Sequence, residues 1–381
     1  MPGSAWTGVG LNHRGWPLVG FSTVDSGGAG VDVPTGVGAG EKADLHGLLL
    51  RLAGKAPDPL LMQCRAWLAD GRVDELVRSV AFLARSQRVA LVEDDFQLLG
   101  TLLADRGRDA WTLPGVDIVQ FDPPPPFVFA ANPAGTVTRS TADTAPADDV
   151  DRAAVAAVQE AAGVRGLWRA WRSTVDDAPW PPPRKVYAVE AEPGVDVVAL
   201  TARLQWRLSA AGEIEPQVET FPTGAELPAY QALAVSYGAL LWASTPAQDV
   251  QIAFIFDDVD LETGPRFDDA HERIDDAEEA RLVADYLNAG EVLLLTTAMM
   301  DDVVDPSRRD VVPMNFRTDG RWVWTDCTTY YLEQHGLAPD LDLLAHIRAS
   351  GYRVPPVDGV AAHRAIAALQ SYESTEDTSP P

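Results

Sequence analysis

Two apolar runs on either side of an amphipathic segment constrain this chain more than anything else in it. "VQIAFIF" (Val250–Phe256) and "EVLLLTT" (Glu291–Thr297) flank a helical pattern from Asp276 to Ala289 that Gly290 closes. An apolar run without polar alternation suits a strand whose two faces are both covered, and covering a sheet on both faces takes helices. The pattern extends upstream. "KVYAVEA" and "PQVETF" read as strands. Val197, Leu200, Leu204 and Leu208 stand at helical spacing, as do Tyr230, Leu233, Tyr237 and Leu241. Residues 184–372 are therefore expected to form a mixed domain of α/β or α+β class.

Helical spacing also governs the first third. Leu60, Cys64 and Trp67 precede Gly71; Val73, Leu76, Val80 and Leu83 follow it; Val92, Phe96, Leu99 and Leu103 run to Gly107. Short connections predict antiparallel neighbours, hence a small helical module over residues 43–135. The module ends in a strand pair, "VDIVQF" and "FVFA", around the extended "PPPP" of Pro123–Pro126. Residues 1–42 are glycine-rich and read as irregular. Residues 136–183 read as a linker with a helix from about Asp151 to Arg172, and the stiff "PWPPP" marks the main domain boundary. Residues 373–381 read as a disordered tail.

The most patterned block is "FRTDGRWVWTDCTTYYLEQHGLAPD", Phe316–Asp340. Asp319-Gly320 suits a two-residue type I′ turn, which would pair Thr318 with Arg321 and Arg317 with Trp322. Phe316 and Val323 then share one face, and Arg317, Trp322 and Trp324 the other, with Arg317 stacked on Trp322. Asp326 is the expected N-cap of the next helix and Gly336 its stop, while Pro339 and Asp340 open another. Tyr330 and Tyr331 are expected to cover the tryptophan face. Folding chemistry explains most of this block, with Arg317, Trp322 and Trp324 as a candidate contact surface.

Charge narrows the function. Fifty-six acidic residues against 30 lysines and arginines give a net charge of −26. Such a chain is a poor partner for nucleic acid or an anionic membrane and a good one for a basic protein. Residues 257–279 carry eleven of the carboxylates, among them Asp268, Asp269, Asp275 and Asp276. Two cysteines, Cys64 and Cys327, fall in separate predicted helices, which suits a reducing cytoplasm better than a disulfide framework. The opening residues lack a charged segment followed by an apolar run, so no signal peptide is expected, and no apolar stretch is long enough to span a membrane.

Several motifs imitate chemistry that their context denies. Asp301, Asp302 and Asp305 form DDxxD, which resembles the first aspartate motif of polyprenyl synthases. Those enzymes are all-helical and carry a second such motif, which is missing here. "PTGVGAGEKAD" departs from a phosphate loop because Glu41 separates Gly40 from Lys42 and Ala43 replaces the hydroxyl. The acidic run fails as a calcium loop, with Thr263 at the glycine position and Asp269 where a glutamate belongs. No histidine or cysteine pair has zinc spacing, so neither a metal nor a cofactor is expected.

"VVPMNFRTDGRWVWTD" through "TYYLEQHGLAPD", with "GEVLLLTTAMMDD" before it and "HRAIAAL" after it, resembles uncharacterised proteins of actinobacteria. "VETFPTGAELPAYQALAVSYGALLWAS" looks like part of the same pattern. The resemblance covers about the C-terminal 200 residues and, more loosely, the helical part. It implies a cytoplasmic actinobacterial protein and transfers no catalytic residue. The first expectation is a non-enzymatic acidic binding protein, in its concrete form an inhibitor or immunity-type protein for a basic partner. The alternative is an enzyme acting on a small molecule. Its carboxylate-lined site, metal-dependent or not, would gather Asp257, Asp258 and Asp301 at the ends of the two apolar strands.

Overall fold

A computed structural model describes residues 38–107, 113, 115–133, 144–175, 178–260 and 264–376. Helices α1 (Ala39–Arg51), α2 (Asp58–Ala69) and α3 (Val73–Ser86) come first. A short strand β1 (Leu91–Val92) leads into α4 (Glu93–Asp105), and β2 (Ile118–Val119) pairs with β1 in parallel. Of the apolar stripes predicted for this region, Cys64, Leu76, Val80, Leu99 and Leu103 are buried, while Leu60 and Trp67 are partly buried and the fully buried Leu61 stands beside them. They do not close a module of their own. The same cluster takes in Phe129, Ala170, Val186 and Tyr230 from elements further along the chain, so the bundle is one layer laid on a sheet.

That sheet is built from β3 (Phe127–Ala130), β4 (Val164–Thr174), β5 (Arg184–Ala191), β6 (Gln217–Pro222) and β7 (Ala239–Ala243). Its order is β3-β4-β5-β6, and β7 pairs with β4 beside β3. Helix α5 (Asp149–Gln159) precedes β4, α6 (Val197–Ala210) links β5 to the parallel β6, and α7 (Ala229–Tyr237) precedes β7. Every residue of β5 after Arg184 is buried, as a strand covered on both faces requires.

The segment read as a linker and helix is the correction that matters most. The helix stops at Gln159, Gly163 turns the chain at a φ of 77°, and residues 164–174 form β4, the centre of the sheet. Trp168, Ala170 and Arg172 alternate with Leu167, Arg169 and Trp171, and this period of two overrode a coincidental helical spacing. "PWPPP" therefore joins two antiparallel neighbours, β4 and β5, and does not separate domains. Three boundaries also move. Residues 39–42 are already helical, Leu241 belongs to β7 because α7 ends before Gly238, and the last helix reaches Glu376.

The described residues after β7 form a second, smaller sheet, two two-stranded ribbons and helices. Strands β8 (Gln251–Ile252), β9 (Asp258–Asp260) and β10 (Gly264–Arg266) precede α8 (Ala277–Ala289). Then come β11 (Glu291–Leu294), β12 (Met299–Met300), β13 (Val312–Pro313), β14 (Phe316–Thr318) and β15 (Trp322–Thr325). Helices α9 (Asp326–His335), α10 (Leu341–Ala349) and α11 (Gly359–Glu376) follow. The ribbons are β9–β10 and β12–β13. The sheet order is β11-β14-β15-β8, so the two apolar runs lie at opposite edges and contribute far shorter strands than expected. Val323 packs under Ala365 and Leu369 of α11, while Trp324 on the other face packs among Tyr286, Leu287, Leu343 and Ile347.

Helix α11 also reaches the first sheet. Both carboxylate oxygens of Glu190 on β5 accept the Gly359 N–H, at 3.1 and 3.0 Å, and Val360 packs with Trp168 and Leu240. The described residues form one compact unit, not two domains.

The hairpin pairs Thr318 with Val323 and Arg317 with Trp324, a shift of two residues from the type I′ register. A shift of two keeps every side chain on its expected face. Asp319 causes it. Its Oδ1 accepts the N–H groups of Arg321 and Trp322, both at 2.8 Å, and widens the loop. Only Gly320 takes a positive φ, whereas a type I′ turn needs two. The N-cap of α9 is Thr325, not Asp326, because the Asp326 carboxylate is drawn to Arg317 and Asn315. Tyr331 packs with Val312 and Phe267 in a separate cluster, so α8 and α10 cover the tryptophan face instead.

Candidate functional site: an acidic cleft

The cleft begins where β8 ends. Ala253 N–H still bonds to Val323, but the next N–H, of Phe254, is taken by Oδ2 of Asp340 at 3.1 Å. The other oxygen of Asp340 caps α10, accepting from Asp342 and Leu343 at 2.9 and 3.2 Å. One side chain thus ends a strand, starts a helix and holds the two apart. This is why the apolar run leaves the sheet and why Phe254 is 64% exposed.

The far wall comes from the acidic loop. Asp257 accepts the Asp268 N–H at 2.8 Å and Nδ1 of His271 at 2.9 Å, and Nε2 of His271 donates to the Ala338 carbonyl at 3.0 Å. Both ring nitrogens thus face acceptors, the Asp257 carboxylate on one side and the Ala338 carbonyl on the other. Burial works against the charged Asp257, yet these hydrogen bonds and the His271 charge outweigh it and hold its carboxyl below the usual range.

The cleft is open to solvent and holds about 570 Å³. Asp257, Asp268, Glu272, Asp340 and Asp342 supply carboxylates around it, and Phe254 and Leu341 supply an apolar rim. Leu341 is 60% exposed. Asp268 pairs with Arg266 at 2.6 Å, but Glu272 and Asp342 have no ion pair among the described residues. The arrangement can hold a positive charge against carboxylate and an apolar stem against Phe254.

The residues expected to act are distributed as follows. The cleft takes in Asp257 but neither Asp258, which pairs with Arg266 on the β9–β10 hairpin, nor Asp301, which pairs with Arg309. The enzyme reading needed these three in one site, and the lining of the cleft includes Asp257 alone. Of the acidic run, Asp268 lines the cleft, Asp276 caps α8 through the Glu278 N–H, and Asp269 and Asp275 are exposed outside it. Arg317 does not stack on Trp322. Its guanidinium pairs with Asp326 at 2.6 Å and donates to the carbonyls of Asn288 and Gly290, tying α8 to the hairpin. Trp324 is 1% exposed and donates to the Leu287 carbonyl, so it belongs to the core. Trp322 alone of that group borders open space.

Sequence reasoning missed two buried aspartates. Asp302 accepts from Nε2 of His335 at 2.7 Å, from the Tyr330 hydroxyl at 3.1 Å and from the N–H groups of Val304 and Asp305. The DDxxD motif is thus a self-capped turn whose middle carboxylate has no room left for a metal. Asp319 accepts Nε2 of His346 at 2.6 Å and the Tyr286 hydroxyl at 2.5 Å in addition to its two backbone bonds. Burial disfavours both charges, but the hydrogen bonds prevail and keep both carboxyls below the usual range. The histidines involved are distant in sequence, and only the aspartate-turn spacing hinted at either site. No cluster of three or more His, Cys, Asp or Glu suited to a metal occurs among the described residues, and none of their helices is long and apolar enough to cross a membrane.

No family model, curated protein or solved structure matches the chain.

Proposed function

We propose that the chain is an acidic, cytoplasmic binding protein whose cleft docks a basic segment of a protein partner, as an inhibitor or immunity-type protein would. The cleft carries the reading: five carboxylates around about 570 Å³, with two exposed apolar side chains at the rim. A net charge of −26 speeds encounter with a basic surface, and Phe254 and Leu341 give the docked partner an apolar anchor. The two cysteines, both buried and unpaired, accord with a reducing compartment.

Affinity purification of the tagged chain at low and high salt tests this, alongside a variant with Glu272→Gln, Asp342→Asn and Phe254→Ala. A control carries as many neutralised carboxylates elsewhere, at Asp74 and Glu93. A stoichiometric basic partner that is lost at high salt and lost with the cleft variant, but retained by the control, supports the proposal. Equal loss in both variants would reduce the effect to net charge and remove the cleft from it.

A further inference from the structure

Beside the hairpin lies a second recess, distinct from the acidic cleft. It holds about 430 Å³ and is lined by Gln248, Asp249, Gln251, Arg321 and Trp322. That volume falls within the roughly 300–1,000 Å³ typical of small-molecule sites. Asp319 fixes one wall, because its carboxylate holds the N–H groups of Arg321 and Trp322 in place. His346, bound to the same carboxylate, stands behind Trp322 with ring centroids 6.4 Å apart, and Trp322 packs partly against the core. The indole is therefore held before any ligand arrives.

The other four side chains are polar, and none is hydrogen-bonded or ion-paired among the described residues. Their charges cancel, one guanidinium against one carboxylate, in a chain that is otherwise strongly negative. Two amides, a guanidinium and a carboxylate offer planar forks of donors and acceptors around one aromatic ring. A cation entering here would meet Arg321. An anion would meet Asp249 and the field of the whole chain. A flat apolar ligand would strip water from four polar side chains without replacing it.

We propose that this recess binds a neutral saccharide, with the C–H face of a sugar ring on Trp322 and its hydroxyls between Arg321, Asp249 and the two glutamines. Vicinal hydroxyls match planar forks, because each hydroxyl both donates and accepts, and the C–H face of the ring suits an aromatic surface. The acidic-cleft reading is not needed for this proposal.

Isothermal titration and saturation-transfer NMR on the full chain decide it. The probes are glucose, galactose, mannose, N-acetylglucosamine, maltose and cellobiose, with glucuronate and free arginine as charged controls. At least one neutral sugar is expected to bind saturably with a Kd of about 1 mM or tighter, and Trp322→Ala is expected to weaken it roughly tenfold or more. Because Trp322 also touches the core, Asp249→Asn and Gln251→Ala repeat the test at exposed positions, each with an expected loss of about three- to tenfold. Three results would overturn the proposal: no saturable binding of any neutral sugar up to about 50 mM, binding unchanged in all three variants, or a preference for arginine or glucuronate over every neutral sugar.

Discussion

Replacing Asp319 by alanine tests the account of the hairpin most directly. The carboxylate is 3% exposed and accepts four hydrogen bonds: from Arg321 and Trp322 N–H at 2.8 Å, Tyr286 at 2.5 Å and His346 at 2.6 Å. A hydrogen bond to a charged group contributes about 1.5–3 kcal/mol, and a buried donor left without a partner costs about 1–3 kcal/mol. The four losses do not simply add. Arg321 and His346 border solvent and can turn to water, whereas the Tyr286 hydroxyl, on a side chain 1% exposed, cannot. Asp319→Ala should therefore cost about 3–5 kcal/mol. Asp319→Asn keeps an acceptor for the two N–H groups and should cost about 1–2 kcal/mol. Urea denaturation followed by circular dichroism and by tryptophan fluorescence measures both. If the alanine variant stays within about 1 kcal/mol of the parent, Asp319 does not organise the loop.

Other consequences follow from buried charge and close packing. Arg65 on α2 and Glu219 on β6 are paired at 2.6 Å and almost wholly buried. Glu219→Ala should cost about 3–5 kcal/mol, while the double change Arg65→Met with Glu219→Leu should cost far less, both read from denaturation midpoints. Gly290→Ala would place its Cβ 2.3 Å from the Trp324 ring and should lower stability by about 1–3 kcal/mol. The folded-state carboxyl of Asp302 is held below its unfolded value, so below about pH 5 the unfolded chain binds more protons. Its contribution is present at neutral pH and is lost as the pH falls through the folded value; Asp302→Asn should flatten the acid side of the Tm–pH curve. Glu190 has the opposite sign. Burial raises its carboxyl, so its penalty grows as the pH rises through the folded value, and Glu190→Gln should raise Tm at pH 8 but not at pH 4.

Legibility in the sequence followed the range of the interactions. Local signals held: the α8 stripe and its Gly290 stop, the left-handed Gly336 and the α10 start at Asp340 are all where the pattern put them. The mixed helix-and-strand class held for the same reason, since periodicity is local. β4 was misread because its tryptophans also fit a helical spacing, and only its neighbours on both sides make it a strand. The hairpin register failed because Asp319 bonds to its own loop, to Tyr286 and to His346, and the last two are remote in sequence. Of the cleft, the acid was visible and the shape was not. Nothing local announces that Asp340 will reach back to Phe254, or that Leu341 will stand opposite.

The position of α11 bears on how the chain is made. The strands of both sheets are complete by Thr325, and α10, which helps cover the tryptophan face of the second, also precedes α11. Helix α11 touches both, through Gly359 and Val360 at one end and Ala365 and Leu369 further along. A chain emerging from the ribosome can therefore assemble two halves before it holds the piece that joins them. Until α11 docks, Glu190 lacks the Gly359 N–H and β15 lacks the cover over Val323. Loosening of α11 would act on both sheets at once, through Glu190 in one and Val323 in the other.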